Sequence, residues 1–250
     1  MGYQGGPGAF ASMAKNYRLE IADAWDGVRA TATPENVEKM EKGWEDRGQK
    51  SGMMEVRWKT AELIKLAWRD RNPGIVQLWK HLEAAAIEAV NSPGKQIAAG
   101  VTGKIDYKRV GSFLFCRLPS KRVLVYAYPK ITRVKTPWTD DNGDAVFKDA
   151  LRYKGVNSVT RQWQDQAFYG GLADENVVQA IARDVMVAGM KKTRAAGYPT
   201  VLTIHDEGIA EILSSFGSTD EFSRLMEEGE PWMEGLPLKA DAWRGKRYRK

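Results

Sequence analysis

One cysteine, Cys116, and two histidines stand among 250 residues. A single thiol cannot staple a fold, which excludes a disulfide scaffold and fits a reducing, cytosolic compartment. No apolar run approaches the length that crosses a bilayer, so no membrane partner is expected. The glycine-rich N-terminus offers no h-region, so no secretory leader is expected. Internal repeats and low-complexity tracts are also lacking, although residues 1–8 are locally rich in glycine. What is there suffices for a core: 43% of the residues are hydrophobic, which argues against disorder. The net charge of +6 mildly favours polyanionic partners.

Three stretches differ in texture. From Phe10 to about Val90 helical signals dominate. Ile75, Trp79, Leu82, Ala86 and Ala89 recur at helical spacing after Pro73-Gly74. Val56, Leu63 and Ala67 predict an earlier helix ending at Asn72-Pro73, and Thr33-Pro34-Glu35 predicts a helix start. Over 111–156 the texture is β: "GSFLFCRL" and "RVLVYAY" flank Pro119-Ser120-Lys121 as a hairpin, and Asp140-Asp141-Asn142-Gly143 signals a second turn. Over 157–250 a helix is predicted from near Asp174 to Gly197, with Val178, Ile181, Val185 and Ala188 on one face. Glu175, Gln179 and Arg183 line up on another.

After that helix comes "TVLTIHDEGIAEI". Two apolar runs flank His205, Asp206 and Glu207, which would occupy the turn of a tight hairpin. Adjacent carboxylates repel, and a bound cation relieves that cost. Mg²⁺ suits such oxygen donors because it takes one or two carboxylates, several waters and substrate phosphates. Taken alone, the tripeptide is an ordinary polar turn. Cys116, in an apolar strand, reads as a small buried hydrophobe. His81 and the helical tryptophans read as packing or surface residues, and the tail "RGKRYRK" as basic and free to fray.

A helix carrying Gln179, an apolar strand, the HDE tripeptide and a second apolar strand together resemble motif C of the family A, polymerase-I-like DNA polymerases. "YGGLADENVVQAIARDVMVAGMKKTRAAGYPTVLTIHDEGIAE" is similar to the phage branch throughout. So are "GVNSVTRQWQ", "FLFCRLPSKRVLVYAYPKI" and "LPLKADAWRGKRYRK", and "NPGIVQLWKHLEAAAIEAVNSPGK" resembles that branch's fingers. "GYQGGPGAF" is similar to the end of the motif B helix, with Tyr3 matching the tyrosine beside the templating base.

The resemblance implies an α+β fold: a helical fingers portion (1–110), an inserted β-hairpin region (111–156) and a partial palm (157–250) carrying the antiparallel HDE hairpin. It makes Asp206 a ligand in a two-metal Mg²⁺ site and Glu207 a supporting carboxylate, with His205 beside the primer terminus. Gln179 matches the minor-groove reader, and Arg161 and Arg183 match backbone contacts. Primer–template DNA and deoxynucleoside triphosphates are the implied partners, in the cytoplasm of a bacterial host. Motif A and the upstream part of motif B do not occur in these residues. The expectation is therefore a C-terminal polymerase part that needs a companion chain bearing them, with its Tyr3 end poorly ordered alone. A non-catalytic DNA-binding remnant or accessory subunit is the alternative.

Overall fold

We describe a computed structural model that covers residues 2–100, 102–140 and 142–248. Asp141 of the expected second turn, and Arg249 and Lys250 of the basic tail, lie outside the described residues. The fold is mixed α+β, and it divides into two compact units. The first comprises residues 1–117 and 123–175, the second residues 118–122 and 176–250.

The first unit opens with α1 (Pro7–Asn16), α2 (Trp25–Thr31), α3 (Pro34–Gly43), α4 (Glu55–Arg71) and α5 (Pro73–Asn91). Local chemistry sets their bounds. The Thr33 hydroxyl accepts from the Asn36 amide at 3.2 Å, capping α3, and Pro34 follows at the first helical position, where its missing N–H costs nothing. α4 stops because Asn72 precedes a proline and is pushed out of the helical region, to φ −127°. Its side-chain amide donates to the Trp68 carbonyl at 2.7 Å, which satisfies one of the orphan acceptors at the helix end. Ala11, Ala14, Ile21 and Ala61 form one core cluster, and Met40, Trp58 and Leu63 a second. Beside them Glu62 and Lys65 of α4 are buried as an ion pair at 2.5 Å.

The sheet that follows is a six-stranded antiparallel meander: β1 (Gln96–Ala99), β2 (Ile105–Val110), β3 (Phe113–Arg117), β4 (Val123–Thr139), β5 (Ala145–Val156) and β6 (Trp163–Phe168), paired in chain order. α5 packs on it. Tyr107, Leu114, Cys116, Tyr126, Leu151 and Phe168 are buried together with Leu82, Ala86 and Ala89 of the helix. Tyr126 meets Phe168 edge to face, ring centres 5.0 Å apart. Burial pushes the Cys116 thiol up to about 12, as suits the small hydrophobe expected there. The sheet reaches further than the β-textured stretch of the sequence. β6 reads as polar because its outward Asp165 pairs with Lys130 at 2.6 Å and Lys154 at 3.1 Å.

α6 (Gly170–Ala195) begins four residues before the expected start at Asp174. Gly170-Gly171 looks like loop punctuation, but both glycines are there for contact. A Cβ on Gly170 would lie 2.2 Å from the Trp79 carbonyl oxygen, and one on Gly171 would lie 2.4 Å from that of Tyr3. Their amides are capped: Gly170 donates to Glu83 Oε2 at 3.0 Å and Gly171 to Gln4 Oε1 at 2.9 Å. Trp79 Nε1 donates to the Gly2 carbonyl at 2.9 Å and to Asp174 at 3.1 Å. Residues 2–4 are thus held by α5 and α6, whereas the sequence predicts a loosely ordered end. Gly170→Ala adds a methyl against backbone that cannot swing aside. It is expected to lower the unfolding free energy by about 1–3 kcal/mol despite alanine's better helix propensity. A urea midpoint equal to that of the parent protein would refute the contact.

The buried side of α6 is also rotated from the expected one: Ala173, Val177 and Ala180 are buried, while Val178 is 43% exposed. Small residues let neighbouring backbone approach, so the bulkier β-branched positions fall to the flank. In the second unit Leu118, Tyr198, Leu225 and Met233 are buried, and a Cβ on Gly189 of α6 would lie 2.9 Å from Met226 Sδ. Arg122 fastens its middle, donating to Asp184 at 2.6 Å and to the Ala180 carbonyl at 2.8 Å. β7 (Thr200–Ile204), β8 (Glu207–Ala210) and α7 (Thr219–Glu227) complete the unit.

Candidate functional site

β7 and β8 pair antiparallel with Ile204 opposite Glu207, so His205 and Asp206 form a two-residue turn. Glu207 is the first residue of the return strand. All three side chains are exposed. His205 adopts φ +52°, a left-handed conformation that costs an L-residue on the order of 1 kcal/mol. Backbone strain of this kind gathers where side-chain placement matters more than stability. Asp206 makes no hydrogen bond or ion pair among the described residues, whereas Glu207 Oε2 accepts from the Tyr248 hydroxyl at 2.7 Å. That hydrogen bond raises the Tyr248 phenol above its ordinary value.

The polar positions of α6 can be related to this hairpin. A Cβ on Gly208 would meet Met190 Cγ at 4.0 Å, so β8 lies on the helix there. Gln179 precedes Met190 by eleven residues, three turns of helix, and therefore shares its face about 16 Å away along the axis. Arg183, exposed like Gln179, falls on the same face about 10 Å from Met190. One stripe of the second unit thus carries Gln179 and Arg183 toward the hairpin.

Arg161 and Tyr3 belong to the first unit. Arg161 stands exposed at φ +59° in a loop that Asn157 organises. The Asn157 side chain accepts from the amides of Val159 and Thr160, each at 2.9 Å, and its carbonyl accepts from the Arg161 amide at 2.9 Å. Tyr3 is 40% exposed beside the start of α6.

As oxygen donors at the tip of a strand pair, Asp206 and Glu207 fit part of a Mg²⁺ site. Among the described residues no group of three His, Cys, Asp or Glu side chains is placed to hold a metal. Sequence reasoning passed over two tail residues. Tyr248 engages Glu207, and the Arg244 guanidinium donates to the carbonyls of Leu213, Ser214, Phe216 and Gly217, binding down the loop after β8. Nothing in a basic tail signals either contact. Among the described residues no helix is long and apolar enough to cross a membrane.

No protein-family model matches the chain, and no solved structure matches it significantly. A DNA polymerase of Bacillus phage SP02 is 36% identical over 191 residues, which is 76% of this chain. The matched stretch spans 27% of that polymerase's length. Over three quarters of its residues, this chain is a relative of a phage DNA polymerase.

Proposed function

We propose that the chain provides the C-terminal fingers and palm portions of a family A DNA polymerase, which performs templated nucleotidyl transfer from deoxynucleoside triphosphates. One observation carries the reading: His205, Asp206 and Glu207 stand exposed at a strained two-residue turn, in line with a helix stripe bearing Gln179 and Arg183.

In this reading the Asp206 carboxylate is a direct Mg²⁺ ligand and Glu207 a supporting one, released or shared by Tyr248. Bound Mg²⁺ supplies activation of the primer 3′-hydroxyl and charge stabilisation at the leaving pyrophosphate. His205 donates to the primer-terminal phosphate. The Gln179 amide donates to minor-groove acceptors shared by all four base pairs, which checks geometry without reading sequence. Arg183 and Arg161 neutralise backbone phosphates, and Tyr3 lies beside the templating base.

Two carboxylates cannot hold two divalent ions against their mutual repulsion. The site is therefore completed by an aspartate of motif A outside these residues, in the same polypeptide or in a companion. Primer extension tests this directly. Residues 1–250 alone should extend nothing, and extension should appear once a polypeptide bearing motif A and the upstream motif B helix is joined or added. DNA binding with no extension in either arrangement would favour the non-catalytic, DNA-binding alternative.

A further inference from the structure

α5 packs on one face of the six-stranded sheet, and the opposite face carries side chains that water should not favour. Cross-strand register places Lys108 and Val110 of β2 opposite Phe115 and Phe113 of β3, and those opposite Val125 and Ala127 of β4. Ala127 in turn faces Lys154 of β5, and Val156 faces Trp163 of β6. Phe113 is 41% exposed, Val125 51% and Trp163 58%. Phe115 and Trp163 lie three strand spacings apart, about 14 Å.

Tyr128 adds a ring to this face. Ala127 already points outward, so regular alternation would send Tyr128 to the opposite side. Instead the ladder shifts register between Ala127 and Lys130, and Tyr128 turns back at φ +49°. Its ring lies 6.3 Å from that of Phe113 and is 57% exposed. The bulge falls at Pro129, which is buried and has no N–H to give the ladder, and it lays the Tyr128 ring beside Phe113.

Charge identifies the occupant. Lys108 faces Phe115, Lys154 faces Ala127, and Lys130 and Arg152 face each other farther along β4 and β5, with Asp165 accepting from Lys130 and lying 3.1 Å from Lys154. Phe113 lies 6.2 Å from Phe115 and 6.3 Å from Tyr128, and rings bordered by Lys108, Lys154, Arg152 and Lys130 match bases that stack and phosphates that pair. We propose that the outer face of β2–β6 binds single-stranded DNA, with Phe113, Tyr128 and Trp163 as stacking platforms. The choice of DNA over RNA rests on the polymerase reading; the face itself does not.

Binding of fluorescein-labelled, unprimed oligo(dT) by the full chain, in EDTA and without nucleotide, tests the proposal separately from catalysis. Tyr128→Ala and Trp163→Ala should each weaken it about five- to a hundredfold, while binding of a blunt duplex holds. Trp163→Phe, which keeps a stacking face, should retain affinity, and Trp163→Leu, which keeps only apolar area, should lose it. Thermal unfolding of each variant checks that the sheet persists. Undiminished binding by both alanine variants would overturn the proposal. So would a self-association that Trp163→Ala abolishes while leaving oligonucleotide binding intact.

Discussion

Asp206→Asn is expected to remove nearly all nucleotide incorporation by the assembled polymerase while leaving primer–template affinity almost unchanged. The asparagine keeps the size and one oxygen but not the charge that offsets a divalent ion. Even supporting partners of a metal site cost about 10–100-fold when lost, so a direct ligand should cost more than that. In the proposed reading affinity should persist, because phosphate contacts from arginines rather than the carboxylates of the hairpin would hold the duplex. Glu207→Gln should fall within the milder range, since Glu207 already shares an oxygen with Tyr248. Single-nucleotide extension beside a binding titration separates the two quantities. Substantial incorporation by Asp206→Asn would remove the hairpin from the chemistry.

Glu62→Ala should cause the largest loss of stability, about 3–5 kcal/mol, because it strands a buried cation. The Glu62 and Lys65 side chains are 2% and 7% exposed, and Arg47 approaches the same carboxylate at 3.4 Å. Burial lowers the Lys65 ammonium, and the attraction of Glu62 opposes that shift. Without Glu62 the folded-state value falls further below the unfolded one. The unfolded chain then binds more protons, so the variant's stability should rise with pH, from the lowered value up to the ordinary lysine range. Denaturant melts across that window should show the recovery. A paired Glu62→Leu, Lys65→Met replacement should regain most of the loss, since neither charge is left behind. A small effect of Glu62→Ala, flat with pH, would mean water reaches the pair.

Elements bounded by local chemistry were legible beforehand. Pro73 both ends α4 and starts α5, and Thr33 caps α3, so those limits follow from residue types alone. The hairpin across Pro119-Ser120-Lys121 likewise follows from strand composition. What failed depends on partners distant in the chain. The expected start of α6 near Asp174 misses Gly170 and Gly171 because their neighbours, Trp79 and Tyr3, lie far away in sequence. β6 hid behind Gln164, Asp165 and Gln166, whose polarity makes sense only beside the lysines of β4 and β5. At the candidate site the turn position of His205 and Asp206 could be read from the flanking apolar runs. The left-handed backbone at His205 and the Tyr248 contact could not, since neither leaves a trace in local composition.

The lone thiol gives the fold a clock. Cys116 has no accessible surface, and burial moves its ionisation to about 12, so native molecules present almost no thiolate to a reagent. Modification must wait for the strand between β2 and β4 to part from its neighbours. With no second cysteine to blur the signal, the rate of blocking reads how often the sheet opens, molecule by molecule.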